Sequence, residues 1–108
     1  MDNKLTAYEA IYNEDNTMVT GIILINVERS KTNEVAKSLA EVKGITEVFS
    51  VGGRFDLVAL CRVNNNEQLA DLVNVAMAND LRISKTETLI SFQTFSKHDL
   101  DTMFSIGN

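Results

Sequence analysis

Residues 48–61 read Val48-Phe49-Ser50-Val51-Gly52-Gly53-Arg54-Phe55-Asp56-Leu57-Val58-Ala59-Leu60-Cys61, two β-rich apolar runs on either side of a glycine pair. Branched and aromatic residues favour a pleated, half-buried surface, and a Gly-Gly step supplies the positive φ values that a tight hairpin needs. The stretch predicts strands over 45–51 and 55–63 joined by a short turn, with Asp56 near the start of the second strand. Both strands have further elements on their outer sides, so this hairpin is the centre of the domain.

Upstream, Met18 to Glu28 reads as a strand with Val19, Ile23, Ile25 and Val27 on one face and Ile22 and Leu24 on the other. Ser30 or Thr32 is placed to cap a helix that carries Val35, Ala36, Leu39 and Val42 at helical spacing and ends at Lys43-Gly44. Downstream, Asn64-Asn65-Asn66 supplies a turn and a cap. Leu69, Leu72, Val73, Ala76 and Met77 then form an apolar stripe that stops near Asn79-Asp80. Ser84 to Phe95 reads as a fourth strand, and Ser96-Lys97-His98-Asp99 opens a short terminal helix through Met103-Phe104. Residues 1–17 are polar and acidic and read as an N-terminal arm ahead of one domain over 18–108.

The order is therefore β-α-β-β-α-β, an α+β, ferredoxin-like sandwich of two β-α-β halves. Right-handed crossovers place both helices on one face of the sheet. The other face has no helix to cover it, yet Ile22, Leu24, Val58 and Leu60 point that way. A sheet with one wet face alternates apolar with polar residues, and these strands do not. An exposed apolar patch of that size is expected to be buried by a second subunit, sheet on sheet, giving a dimeric α/β barrel.

Composition narrows the function. The 108 residues carry ten Lys and Arg against fifteen Asp and Glu, a net charge of −5, and the pI is near 4.7. Duplex DNA recognition rests on a basic face, and the basic residues here are scattered singly, so direct nucleic-acid binding is not expected. The single cysteine, Cys61, lies mid-strand and reads as a small buried hydrophobe. No Cys/His spacing suggests zinc, no phosphate loop or dinucleotide fingerprint is present, and no cofactor is expected. The longest early apolar run, Ile22 to Ile25, is too short to cross a bilayer, and the acidic first residues do not resemble a signal peptide. A cytoplasmic protein without membrane contact is the expectation.

Four segments together carry a resemblance. Ile22-Ile23-Leu24-Ile25-Asn26-Val27-Glu28-Arg29, Val42-Lys43-Gly44-Ile45-Thr46-Glu47-Val48, Ser50-Val51-Gly52-Gly53-Arg54-Phe55-Asp56-Leu57 and Thr86-Glu87-Thr88-Leu89-Ile90 stand in the order and spacing of the Lrp/AsnC effector-binding domain. Ser96-Lys97-His98-Asp99-Leu100 resembles the close of its stand-alone members. The resemblance implies dimerisation through the sheets, assembly into higher rings such as octamers, and binding of amino acids between dimers near the loop between the second and third strands. Regulators of this family carry a winged helix-turn-helix ahead of the domain. Only the acidic segment 1–17 precedes it here, so the expectation is a sensor without its own DNA reader, able to co-assemble with full-length regulators. One position departs from the family: the residue after the loop glycine is often acidic there and is Arg54 here.

Candidate ligand-binding residues follow: Gly53, Arg54, Phe55, Asp56, Thr86, Thr88 and Ser91. Small residues let a carboxylate approach backbone N–H groups. Arg54 can clamp that carboxylate, Asp56 can meet an ammonium or pair with Arg54, and the three hydroxyls offer further polar contacts. No catalytic residue is expected. His98-Asp99 does not make a catalytic pair, since adjacent helical residues diverge and no nucleophile accompanies them. Two alternatives to an amino-acid sensor remain at this stage: a structural partner of full-length regulators, and a small dimeric barrel enzyme.

Overall fold

The computed structural model describes residues 18–97. The expected arm over 1–17 and the terminal helix with His98, Asp99, Met103 and Phe104 lie outside the described residues. Four strands, β1 (Val19–Val27), β2 (Ile45–Ser50), β3 (Leu57–Val63) and β4 (Ile83–Ile90), form one antiparallel sheet in the order β2-β3-β1-β4. Helix α1 (Thr32–Ala40) follows β1, and α2 (Asn66–Val73) follows β3. This is the α+β, ferredoxin-like βαββαβ arrangement that the apolar spacing predicts.

The core lies between the helices and one face of the sheet. Ile23 and Ile25 of β1, Leu57, Ala59 and Cys61 of β3, and Val35 of α1 have no exposed surface. Leu39, Leu69, Leu72 and Met77 close the layer from the helix side. Alternation along β1 and β3 matches the sequence pattern, with Ile22, Leu24, Val58 and Leu60 on the opposite face, each half-buried.

Gly21 of β1 sits beneath Leu69 of α2. A Cβ there would lie 2.7 Å from the Cys61 Sγ and 2.8 Å from a Leu69 methyl, below any ordinary contact. The Cys61 thiol donates to the Gly21 carbonyl at 3.6 Å, and burial pushes its pKa up from the ordinary thiol value. The thiol is thus a packing group held protonated.

The helix ends show where local signals held and where they did not. Asn65 caps α2 by accepting from the Gln68 N–H at 2.8 Å, and the Gln68 side chain accepts from the Asn64 N–H at 2.8 Å. That reciprocal pair satisfies two donors at a helix start, as expected of the asparagine run. Neither Ser30 nor Thr32 caps α1: the cap position is Lys31, with no side-chain bond, and Ser30 turns the chain at φ 68. Helix α1 ends at Ala40, before Lys43, and Gly44 follows at φ 99. Beyond Val73 the second helix widens into a π-helical turn, Asn74–Ala78, which keeps Met77 buried. Arg82 then ties the next turn together. Its guanidinium donates to both Asp80 oxygens at 2.9 and 2.7 Å and reaches the Ser38 hydroxyl of α1 at 3.4 Å. Hydrogen bonding from Arg82 holds the Asp80 carboxyl below its usual range.

Strand lengths also differ from the sequence reading. β4 ends at Ile90, not Phe95, and the Ser91 N–H still bonds the Thr20 carbonyl near the start of β1.

Gly21→Ala is expected to destabilise the domain by about 1–3 kcal/mol through overpacking, read as a lower urea midpoint. Adding Cys61→Ala removes one of the two clashing atoms. The double variant should lose less stability than the sum of the single variants, and simple additivity would show that Gly21 and Cys61 do not press on each other.

Candidate functional site

The β2–β3 connection is a loop over Val51–Asp56 and not a tight two-residue turn. Within it only Gly53 takes a positive φ, 118, so one glycine is conformationally required, not two. β3 consequently begins at Leu57, two residues later than the apolar run suggests. The Val51 N–H donates to the Asp56 carbonyl at 3.0 Å and closes the loop, and the Asp56 N–H donates to the Ile25 carbonyl at 2.9 Å. The Asp56 side chain is engaged as well. Its Oδ2 accepts from the backbone N–H of Val27 at 2.8 Å.

Above this frame the loop is open. Among the described residues, no atom beyond the glycine and its chain neighbours lies within 4 Å of where a Cβ would stand at Gly52 or Gly53, so a ligand could approach the backbone of either. Arg54 is exposed and Phe55 half-buried. Among the described residues the ion pairs are Lys31–Glu34 at 3.6 Å and Asp80–Arg82 at 2.7 Å. Arg54 and Asp56 therefore do not pair with each other.

The hydroxyl residues of β4 lie elsewhere on the sheet. Thr86 and Thr88 stand opposite Ile25 and Ile23, on the helix-side face, with β1 between them and the loop strand. Thr86 is level with the Leu57 end of β3, since Ile25 pairs with both. Ser91 is bonded at the far end of β1, roughly 17 Å from Thr86 at ordinary strand rise, and its hydroxyl donates to the Gln93 carbonyl at 3.3 Å. One protomer thus groups Gly53, Arg54, Phe55 and Asp56 but does not bring Thr86, Thr88 and Ser91 to them. Thr88 instead lines a shallow groove of about 310 Å³ between α2 and β4, with Leu69, Val73 and Ile90.

The face of the sheet away from the helices has a definite pattern. Across β2, β3, β1 and β4, one row reads Phe49, Val58, Leu24, Glu87, and the next reads Glu47, Leu60, Ile22, Leu89. Each row is three apolar side chains and one carboxylate, with the two carboxylates at opposite edges of the sheet. Phe49 and Leu89, 43% and 45% exposed, extend the apolar area beyond the four residues picked out in the sequence. Their strands are short and of mixed polarity, so this contribution shows only once the register is known.

For chemistry the described residues offer little. No group of three or more His, Cys, Asp or Glu is placed to hold a metal ion among them, and the thiol of Cys61 is buried and protonated. None of the described helices is long and apolar enough to cross a membrane. The loop and the open face present backbone amides, a guanidinium and an apolar sheet.

Comparison with known proteins is consistent with this arrangement. The family model described as the Lrp/AsnC ligand binding domain matches residues 20–100. An HTH-type transcriptional regulator of Pyrococcus horikoshii is 30% identical over 86 residues, which are 77% of this chain and 57% of that protein. The chain thus spans less than two thirds of the length of the curated relatives it matches. Among solved structures, a Thermus thermophilus protein is 32% identical, with 73% of this chain and 99% of that chain covered and a TM-score of 0.69. A feast or famine regulatory protein from M. tuberculosis, solved in complex with L-methionine, shares the fold at 19% identity and a TM-score of 0.64, with 90% of this chain and 63% of that chain covered.

The two loop glycines are expected to differ sharply. Gly52→Ala meets open space at an ordinary φ and should leave stability within about 0.5 kcal/mol. Gly53→Ala meets the same open space at φ 118 and should cost about 1–3 kcal/mol from backbone strain alone. Equal urea midpoints for the two variants would contradict this geometry.

Proposed function

Because this chain belongs to the Lrp/AsnC ligand-binding-domain family, we propose that it senses a small amino acid and assembles with copies of itself in transcriptional regulation. The observation that carries this reading is the position of the open Gly53–Phe55 loop at one end of the apolar sheet face. The row Phe49, Val58, Leu24 is the last on the open face before the loop, so a second copy covering the face would wall the loop on one side. In this reading the ligand carboxylate meets loop N–H groups and Arg54, and neighbouring apolar side chains select its side chain. Thr86, Thr88 or Ser91 contribute only from another subunit, since one protomer keeps them apart from the loop. The bound methionine of the M. tuberculosis relative supports an α-amino acid as the ligand class.

The relatives named as HTH-type regulators support a role in transcription control. The net charge of −5 disfavours direct DNA contact by this chain, and an effect on DNA would pass through mixed assemblies with DNA-binding homologues. Catalysis is not part of this proposal, nor is membrane attachment, and the expected setting is the cytoplasm.

Two measurements test the reading. In the first, light scattering at micromolar concentration should find a dimer or a multiple of it. Leu24→Lys places a charge in the middle of the apolar rows and should give monomer or unfolded chain. Burying the remaining surface of each apolar side chain on this face contributes about 1 kcal/mol, so a compact 12 kDa monomer of the unsubstituted chain would refute the assembly.

The second is calorimetry with each common amino acid, where at least one should bind and Arg54→Ala should weaken it tenfold or more. No heat from any of them, with no change in oligomer size, would overturn sensing and leave a purely structural partner of full-length regulators.

A further inference from the structure

We propose that Asp56 serves the amino-acid site as a positioning residue: its carboxylate holds the loop against the end of β1 and does not itself receive the ligand's ammonium group. The inference rests on the reading of the Gly53–Phe55 loop as the ligand contact, and it changes what the acidic side chain beside that loop is for.

The argument starts from where the ladder stops. β1 and β3 pair in register from Val19↔Val63 to Ile25↔Leu57. Continued by one more pair of backbone bonds, the ladder would set Val27 opposite Phe55, and the Val27 N–H would need an acceptor from that strand. The chain does not continue; it leaves the sheet at Asp56 and enters the loop. Val27 is 9% exposed, so an unpaired N–H there would carry a desolvation cost that folded proteins avoid. The Asp56 Oδ2 supplies the missing acceptor at 2.8 Å.

The same residue is fixed at its two other polar groups. Its N–H bonds the Ile25 carbonyl and its carbonyl accepts the Val51 N–H. Asp56 therefore clamps the loop both to the neighbouring strand and to its own first residue. On the other side of β1 the pairing with β4 slips between Asn26 and Val27, and the Glu28 N–H bonds the Arg82 carbonyl at 2.7 Å. The end of β1 is thus irregular on its β4 side, and the Asp56 carboxylate holds it on the β3 side. A side-chain acceptor with a short arm does this only if the loop stays in one place, which is the condition for presenting amides at Gly53 to a ligand.

The alternative role differs in what it demands of the side chain. An ammonium receptor needs the negative charge; a surrogate for a backbone carbonyl needs an oxygen at that distance. Asp56→Asn keeps an acceptor oxygen and removes the charge, Asp56→Ala removes both, and Asp56→Glu keeps the charge but displaces the oxygen. Binding is measured by calorimetry on the full chain, first with an equimolar mixture of the common amino acids and then with each singly. Exchange of the Val27 amide and of the loop amides is followed in the same variants by NMR.

The expected result is that Asn binds within about threefold of the unsubstituted chain, while Ala and Glu each lose tenfold or more. The Val27 amide should remain protected in Asn and exchange faster in Ala and Glu. Loss of binding in Asn with Val27 still protected, or binding retained in Glu, would assign the charge to the ligand and overturn the proposal. So would an unchanged Val27 amide in both Ala and Glu. If the unsubstituted chain binds no amino acid, the sensing reading fails, and the exchange data on Val27 and the loop decide the positioning role alone. Should Ala fail to fold, Asn and Glu carry the same comparison.

Discussion

Everything in this domain depends on β1 having neighbours on three sides: two strands and the helix layer. It pairs with β3 along one edge and β4 along the other, packs Ile23 and Ile25 under the helices without exposure, and turns Ile22 and Leu24 to the opposite face. A strand in that position cannot tolerate a wrong register, because a slip of one residue would exchange two apolar faces of different fit. Gly21 makes the constraint specific. Only at that position does the strand lack a side chain toward the helices, and there Cys61 and Leu69 fill the space. The glycine, the thiol and the leucine are one packing unit drawn from β1, β3 and α2, which fixes the relative position of both halves of the fold.

Most of this architecture was legible in the order of residues. Alternation in β1 and β3 and the stripe from Leu69 to Met77 each carry a period, and a period survives translation into three dimensions because core burial enforces it. The asparagine cap of α2 was legible because its partners lie within four residues. What failed was information held outside the local window. Ser30 and Thr32 look like caps, but the turn after β1 is set by Ser30 at positive φ, which leaves Lys31 at the cap position. Val51, Phe55 and the residues from Phe92 to Phe95 have strand propensity, but propensity does not set where a ladder stops: β2 ends at Ser50, β3 begins at Leu57 and β4 ends at Ile90.

The candidate site shows the same division more sharply. The loop between β2 and β3 is a candidate site from the glycines and from the ordered resemblance alone. Which hydroxyls accompany it could not be inferred: Thr86, Thr88 and Ser91 look like one alternating group along the sequence. The register spreads them along an outer strand beyond β1, Ser91 at the end opposite the loop. The partner of Asp56 was equally invisible, since Val27 lies 29 residues away and offers a backbone N–H, which leaves no trace in side-chain identity. An acidic residue beside a glycine loop invites an electrostatic role, and only the geometry brings forward the alternative of a backbone acceptor.

The two faces of the sheet divide the work of the fold. The helix face makes the monomer, with every fully buried side chain on that side or on the helices above it. The other face carries two rows of three apolar residues, each ended by a carboxylate, at Glu87 in one row and Glu47 in the next. Two such faces meeting through a two-fold axis can bury the rows while both carboxylates stay at the rim in water, where charge costs little to keep. The loop lies at the end of those rows, outside the helix core and bordering the open apolar face. On the proposed reading, a ligand there would act on association between copies without first disturbing the packing of Gly21, Cys61 and Leu69. In that same reading, sensing and folding share one small domain because they use opposite sides of the same sheet.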